Sequence, residues 1–164
     1  MAFELQAIRT VTKNFGDRIS NQEFGARTPE GMIQRAVWTF PFNRLPAPGA
    51  SNHEQVIPAG SSIIRAIFRV ITPFTSTSTA TDLDIGLQTK AAVEIDDNGL
   101  LTAAQLTQTV IAVDGRLTAG TGALVNNTIG ALPGELVVTP TTDDLTAGVG
   151  QVIVEYFTPA ALPA

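Results

Sequence analysis

A chain of 164 residues without cysteine has room for one well-buried domain and an appendage, and it excludes stabilisation by disulfides or thiolate metal sites. Hydrophobic residues make up 44% of the sequence, but no apolar run approaches the roughly 18–20 residues that a membrane-spanning helix needs. The net charge of −5 is unevenly divided, because residues 1–70 hold eight of the ten basic side chains and residues 71–164 hold ten of the fifteen acids.

This charge asymmetry predicts an acidic partner for the N-terminal half of the chain. The basic residues are spaced singly, without the clusters and interleaved aromatics of a nucleic-acid-binding surface, so they do not favour nucleic acid. The opening sequence MAFELQAIRT contains Glu4 and lacks the cationic-then-apolar order of a signal peptide. We therefore expect a protein that is made in the cytoplasm and stays or assembles there, with no membrane partner.

Residues 1–55 are predicted to form an extended N-terminal arm and a Pro-rich linker. Three prolines between residues 41 and 48 argue against an interior helix or a central strand. Trp38, Phe40 and Phe42 recur at period 2, which favours a short extended edge segment. A disordered tail is the alternative, but disordered segments contain few aromatics, and this stretch has five of the eight phenylalanines and the only tryptophan.

The arm is expected to become ordered by lying on a partner. Its apolar anchors are separated by glycine and polar residues, a layout that cannot close a core of its own but suits separate pockets along a groove. Basic residues lie between these anchors and are available to acidic positions on the partner. The predicted binding residues of the arm are Phe3, Arg9, Lys13, Phe15, Arg18, Phe24 and Arg27.

From residue 56 to residue 164 the pattern changes to short β-runs separated by turn residues. The runs are IPAGSSIIRAIFRVITPF, TDLDIGLQ, KAAVEID, TQTVIAV, GRLTAG, GELVVTP and GQVIVEYF, and LTAAQL is a candidate for one helical turn. Short strands at roughly 10-residue spacing without intervening helices predict a sandwich. The predicted fold class is therefore all-β, a jelly-roll-like β-sandwich preceded by the extended N-terminal arm.

The first run alternates between two predicted faces. Its even-numbered residues predict a core face, which consists of Ile64, Ala66, Phe68 and Val70. Its odd-numbered residues combine Arg65 and Arg69 with Ile63, Ile67 and Ile71, a mixture that suits neither a core nor an ordinary surface.

A hairpin between residues 63–71 and 81–88 would place Arg69 near Asp84, in an ion pair worth a few tenths to about 1 kcal/mol. That arrangement explains the arginines but leaves three isoleucines facing water. We therefore predict an oligomer interface at Ile63, Ile67 and Ile71, covered by another subunit or by the folded-back arm.

The sequence offers no candidate for catalysis or for binding a cofactor or metal. His53, the only histidine, lies in the linker with nothing nearby to orient it, and phosphate-binding, dinucleotide and hydrolase motifs are absent. Asp82 and Asp84 alternate outward on a predicted strand. DDNG at 96–99 lacks the spacing of a calcium loop and is predicted to be a tight hairpin turn with Gly99 at positive φ.

Several of these stretches together resemble the β-domain of tailed-bacteriophage head decoration (cement) proteins. The stretches are IPAGSSIIRAIFRVITPF, DLDIGL, DDNGLLTAAQL, PGELVVT and TAGVGQVIVEYF, within residues 56–158. The resemblance implies a jelly-roll-like domain that oligomerises, often as a trimer, on the outer capsid and grips the major capsid protein through an extended segment. The arm itself lies outside the resemblance.

Two classes of function remain open. The first is a non-enzymatic cement protein of the virion surface, assembled in the host cytoplasm. The second is a fibre or surface recognition module that binds a host glycan. Glycan sites usually need exposed aromatics, and the aromatics from residue 56 onward are few, which favours the first class; they are Phe68, Phe74, Tyr156 and Phe157.

Overall fold

The computed structural model describes residues 33–47, 49, 56–77, 81–91 and 93–158, in which the chain is almost entirely β-structure. The strands are β1 (Gln34–Pro41), β2 (Ser62–Ser76), β3 (Leu83–Gln88), β4 (Glu94–Leu101), β5 (Leu117–Ala119), β6 (Glu135–Pro140) and β7 (Leu145–Phe157). A 3-10 turn (Phe42–Arg44) follows β1, and a four-residue helix, α1 (Gln108–Ile111), lies between β4 and β5.

The strands form two antiparallel sheets, which confirms the predicted all-β sandwich. The four-stranded sheet has the order β1-β7-β2-β5, and the three-stranded sheet has the order β4-β3-β6. The chain crosses between the sheets after β2, β4, β5 and β6, so each sheet joins strands that are distant in sequence. No helix in the described ranges is long and apolar enough to cross a membrane.

The core lies between the inner faces of the two sheets and includes a cluster of three aromatic rings. Phe40, Phe68 and Phe74 have ring centroids 6.1–6.5 Å apart, and each ring is almost inaccessible to solvent. At Gly150, a Cβ atom would lie 2.7 Å from Cε2 of Phe68. Glycine on β7 therefore makes room for the ring on the neighbouring strand.

Strand β1 belongs to the sandwich, although its residues lie within the predicted arm and linker of residues 1–55. It pairs with β7 from Gln34, opposite Tyr156, to Pro41, opposite Val149. Trp38 and Phe40 point into the core, which confirms the extended segment inferred from their period-2 spacing. The sandwich thus includes residues before 56, because the aromatics of β1 complete its core.

Strand β2 contains a β-bulge that corrects the predicted core face. Ile63 lies opposite Tyr156 and Arg65 lies opposite Glu155, so Ile64 is the extra residue. The bulge places Ile63 in the core, with 1% of its surface exposed, and leaves Ile64 37% exposed. The alternation predicted for Ala66, Phe68 and Val70 is confirmed, since all three are buried.

The predicted hairpin between residues 63–71 and 81–88 is wrong. Strand β2 pairs with β7 and β5, whereas β3 lies in the other sheet between β4 and β6. Arg69 therefore lies opposite Gln151 and Leu117, not beside Asp84. The inner faces of β2 and β3 meet across the core instead of along a shared ladder.

The stretch TQTVIAV at 107–113 was predicted as a strand but contains helix α1. The Gln108 N–H at the first helical position donates to Oδ1 of Asp82 at 3.0 Å, and Ile111 is buried. A carboxylate acceptor at the helix N-terminus stabilises that turn. The tertiary contact thus outweighs the β-propensity of the threonines and valines.

The stretch DDNG is not a tight hairpin turn, because it lies inside β4. Leu87 pairs with Asp96 and Ile85 pairs with Leu101, so an irregular bulge of β4 spans the residues between. Gly99 is not among the glycines with positive φ. The bulge lies over Gly86 of β3, where a Cβ atom would collide with the main-chain oxygen of Asp96.

Candidate functional site

The outer face of the four-stranded sheet carries an apolar row that crosses all four strands. The row consists of Val37, Ile153, Ile67 and Ala119, which are paired in sequence across β1, β7, β2 and β5. Side chains of adjacent strands in one row are neighbours on the same face. Only Ile153 is buried, at 8% exposed, so most of the row is accessible to another molecule.

A charged row lies on one side of the apolar row. Glu155 on β7 lies between Arg35 on β1 and Arg65 on β2. Nη2 of Arg65 donates to Oε1 of Glu155 at 2.9 Å. Two guanidinium groups thus flank one carboxylate, which leaves this edge of the apolar row with excess positive charge.

A mixed row lies on the other side of the apolar row. It runs from Thr39 through Gln151 and Arg69 to Leu117. Nε2 of Gln151 donates to Oγ1 of Thr39 at 2.9 Å, and Leu117 is 62% exposed. We call the three rows together the open face; it presents apolar side chains bordered by Arg35, Arg65 and Arg69.

The three residues of the predicted oligomer interface lie in different environments in the structure. Ile63 is in the core and is not available to a partner. Ile67 lies in the apolar row, and Ile71 is 39% exposed at a second register shift of β2, beside Thr72. The structure adds Val37, Ile153 and Leu117 to the same face.

No local sequence signal shows that these three residues share a face, because they lie on strands that meet only in the folded sheet. Period-2 alternation in β1 and β7 identifies their outward direction once pairing is known. The predicted binding residues of the arm lie outside the described residues; they are Phe3, Arg9, Lys13, Phe15, Arg18, Phe24 and Arg27.

The outer side of the three-stranded sheet is a different environment, because the chain covers it. Gln88 and Glu135 are paired on β3 and β6 and are 3% and 1% exposed. The Gly49 N–H donates to Oε1 of Gln88 at 3.3 Å, and Val137 of β6 is also buried. Within the described residues, the outer side of this sheet is therefore less accessible than the outer face of the four-stranded sheet.

Asp82 and Asp84 anchor a loop to the three-stranded sheet through hydrogen bonds to main-chain N–H groups. Oδ1 of Asp84 accepts the Ala103 N–H at 2.6 Å, and Oδ1 of Asp82 accepts the Gln108 N–H. Burial raises the pKa of Asp84, the Ala103 hydrogen bond opposes the rise, and the charges of Asp97 and Asp82 add to it. Among the described residues, no group of three or more His, Cys, Asp or Glu side chains is arranged to hold a metal ion.

The fold is similar to chains in three phage capsid structures. A chain of the acid-stable capsid of Helicobacter pylori bacteriophage KHP30 matches 81% of this chain and 93% of its own length, with 18% identity and a TM-score of 0.55. A chain of the cyanophage Pam1 capsid matches 79% of this chain and 87% of its own length, with 16% identity and a TM-score of 0.51.

A chain of the capsid of Ralstonia phage GP4 matches 80% of this chain and 88% of its own length, with 17% identity and a TM-score of 0.51. No protein-family model and no curated protein sequence matches this chain. At these identities the similarity establishes a shared fold that extends over about four fifths of the chain.

Proposed function

We propose that this chain is a structural virion protein that binds the outer surface of a phage capsid and stabilises it. The observation that carries the proposal is the similarity of most of the chain to components of three phage capsid structures. The cement-protein motifs between residues 56 and 158 support the same conclusion from the sequence. In this role the protein needs no catalytic group, cofactor or metal.

We further propose that the open face docks on the major capsid protein. With Ile63 in the core, this face is less apolar than the sequence implied, and its charge comes from Arg35, Arg65 and Arg69 against Glu155 alone. Two open faces brought together would oppose arginines, a costly arrangement. An acidic capsid surface with apolar contacts complements it better, so we assign Ile67 to capsid docking, with the exposed Ile71 beyond the edge of the three rows.

The test uses shells assembled from the major capsid protein of the same genome and measures cosedimentation. Leu117→Asp places a charge at the exposed end of the face and should weaken binding by about tenfold or more, which is at least about 1.4 kcal/mol. Leu132→Asp is the matched control, because Leu132 is 58% exposed, close to the 62% of Leu117, and belongs to none of the three rows. Equal affinities for the two variants would contradict capsid docking by the open face.

The mass of the Leu117→Asp protein in solution distinguishes binding of the open face to the capsid from binding to a second copy of this chain. An unchanged oligomeric state with weakened capsid binding supports the capsid as occupant. Dissociation of the protein into smaller species would instead assign the face to self-association.

The arm is proposed to add affinity by lying across neighbouring capsid subunits. Ordering an arm costs about 1–2 kcal/mol per residue of backbone entropy, so its phenylalanine anchors must recover most of that loss. Deletion of residues 1–32, which leaves β1 complete, should abolish cosedimentation while the sandwich keeps its thermal midpoint. Full affinity of the truncated protein would refute the role of the arm.

A glycan-binding module receives less support from the structure. The buried aromatics are Trp38, Phe40, Phe68, Phe74 and Tyr156. The remaining aromatics in the described part of the chain, Phe42 and Phe157, are partly buried. Sugar rings are commonly held by stacking on exposed aromatic faces, so the described surface lacks the main element of such a site.

A further inference from the structure

Strand β1 has a free edge that no described strand pairs with. It lies at one end of the four-stranded sheet, with β7 on its other side. Its eight residues pair with β7 without a register shift, so the strand is regular along its whole length. A long, regular edge strand is a template for pairing with another chain unless something blocks it.

The opposite edge of the same sheet is blocked. Nε2 of Gln105 donates to the main-chain oxygen of Ala119 on β5 at 2.8 Å, and its Oε1 accepts the Thr121 N–H at 3.2 Å. Strand β5 is also only three residues long. The contrast with β1 shows that the chain protects one edge of the sheet.

The direction of each N–H and C=O group at the free edge can be derived from the hydrogen bonds of the other strands, because successive residues of a strand bond to opposite sides. The Val70 N–H donates to Arg116 O and the Gly120 N–H donates to Ala66 O, so the even residues of β2 bond towards β5. Ile67 therefore bonds towards β7 and exchanges hydrogen bonds with Ile153.

Counting outward from Ile153, Val152 and Val154 bond towards β1, to Trp38 and Ala36. The intervening residues of β1 consequently point their N–H and C=O groups away from the sheet. These residues are Arg35, Val37 and Thr39.

We propose that the free edge of β1 pairs antiparallel with β1 of a second copy, which joins two four-stranded sheets into one continuous sheet about a two-fold axis. The axis passes between Val37 and its equivalent, and Arg35 lies opposite Thr39 of the other copy. This inference uses the main-chain groups at the edge of the sheet, whereas capsid docking uses the side chains of its open face.

Self-complementarity selects this register. Centring on Val37 pairs the whole strand and continues the apolar row across the axis. It also separates the two Arg35 side chains, whereas a register centred on Arg35 would oppose them and lose more than half of the overlap. Like charges directly opposite each other destabilise a strand pair.

Cysteine substitutions map the pairing, since the chain contains no native cysteine. Val37→Cys should give a disulfide-linked dimer under mild oxidation, because hydrogen-bonded partners in antiparallel strands have Cα atoms about 5.5 Å apart, within the disulfide range. Thr39→Cys alone should not cross-link, since the two copies of residue 39 are offset by four residues along the strand. The double variant Arg35→Cys/Thr39→Cys should cross-link again.

A proline variant tests the edge without a covalent bond. Val37→Pro removes an N–H that points away from β7, a position where edge strands accept proline, so the protein should remain folded and become monomeric. Ala36→Pro is the matched control, because it removes an N–H that bonds to β7 and should destabilise the fold itself. Mass is measured by light scattering, with the wild-type chain expected at twice 17.2 kDa.

The result that supports the proposal is a wild-type dimer, cross-linked at position 37 and by the 35/39 pair but not by position 39 alone. A wild-type protein that stays monomeric at its highest soluble concentration would overturn it. So would a Val37→Pro protein that keeps the wild-type mass, or cross-linking at position 39 alone.

Discussion

The two sheets share one core, but their outer faces differ in how far they are exposed to solvent. On the three-stranded sheet, the bulge of β4 lies over Gly86, and Gln88 and Glu135 are almost completely buried. On the four-stranded sheet, the open face stays accessible, including Leu117 at 62% exposed. Described segments of the chain thus lie against one outer face, whereas the other face stays accessible.

The two sheets differ in the segments that lie against them. Strand β4 uses an irregular register against β3, and the Val138 N–H of β6 bonds to Pro46 O in the segment that follows β1. By contrast, β1 and β7 pair without interruption, so their outward side chains stay in ordered rows.

The largest expected effect concerns the boundary between the core and the open face in β2. Ile63→Ala should destabilise the protein by about 3 kcal/mol, because a buried isoleucine is lost and a cavity is left. Ile64→Ala should cost less than about 1 kcal/mol, since that side chain is already partly in water. Denaturant unfolding of both variants measures the difference, and equal or reversed losses would mean that the bulge is misplaced.

Sequence alternation predicted most of this boundary but not the bulge. Ala66, Phe68 and Val70 differ enough from their arginine neighbours for period 2 to identify their face. Ile63 and Ile64 are identical side chains, so hydrophobicity carries no information about which one enters the core. The bulge is decided by pairing with Tyr156 and Glu155 on β7, far away in the sequence.

The candidate site was harder to predict than the fold, because it is built from non-local pairs. Neighbouring strands in sequence often form hairpins, which is why Arg69 was placed beside Asp84. In the structure the chain crosses to the other sheet between β2 and β3, and the open face is completed by Val37 and Ile153. Short runs separated by turn residues predict where the strands lie, but they do not predict which strands pair with each other.

The covered face gives the next largest effect. Gly86→Ala should cost about 2–3 kcal/mol, because its Cβ would collide with the backbone of the β4 bulge, which cannot move as a side chain can. Gly130→Ala is the control, since nothing lies within 4 Å of its Cβ position. If Gly86→Ala were as stable as Gly130→Ala in thermal unfolding, the bulge would not pack on β3 as described.

A smaller effect is expected where Asp84 fastens its loop to the same sheet. Asp84→Ala leaves the Ala103 N–H without its acceptor and should cost about 1–2 kcal/mol. Asp84→Asn keeps an acceptor oxygen and removes the repulsion from Asp97 and Asp82, so it should be at least as stable as the wild type at neutral pH.

The pH dependence of that comparison follows from the raised pKa of Asp84. The folded state holds the Asp84 proton to higher pH than the unfolded chain does, so the stability contributed by this group falls as pH rises through the carboxyl range. The advantage of Asp84→Asn over the wild type should therefore shrink as pH is lowered towards the ordinary pKa of 3.8. An advantage that grows in acid would contradict the direction of the shift.

The smallest expected effect separates the observed ion pair from the one predicted by the hairpin. Arg65 and Glu155 have side chains that are 55% and 26% exposed, so a double-mutant cycle with alanine should give a coupling of about 0.2–1 kcal/mol that decreases with added salt. The same cycle for Arg69 and Asp84 should give no coupling, because these residues lie in different sheets. Coupling in the second cycle and none in the first would restore the hairpin and remove Arg65 and Glu155 from the charged row. Because Arg65→Ala costs so little stability, its effect on cosedimentation with capsids reports on docking by the open face rather than on folding.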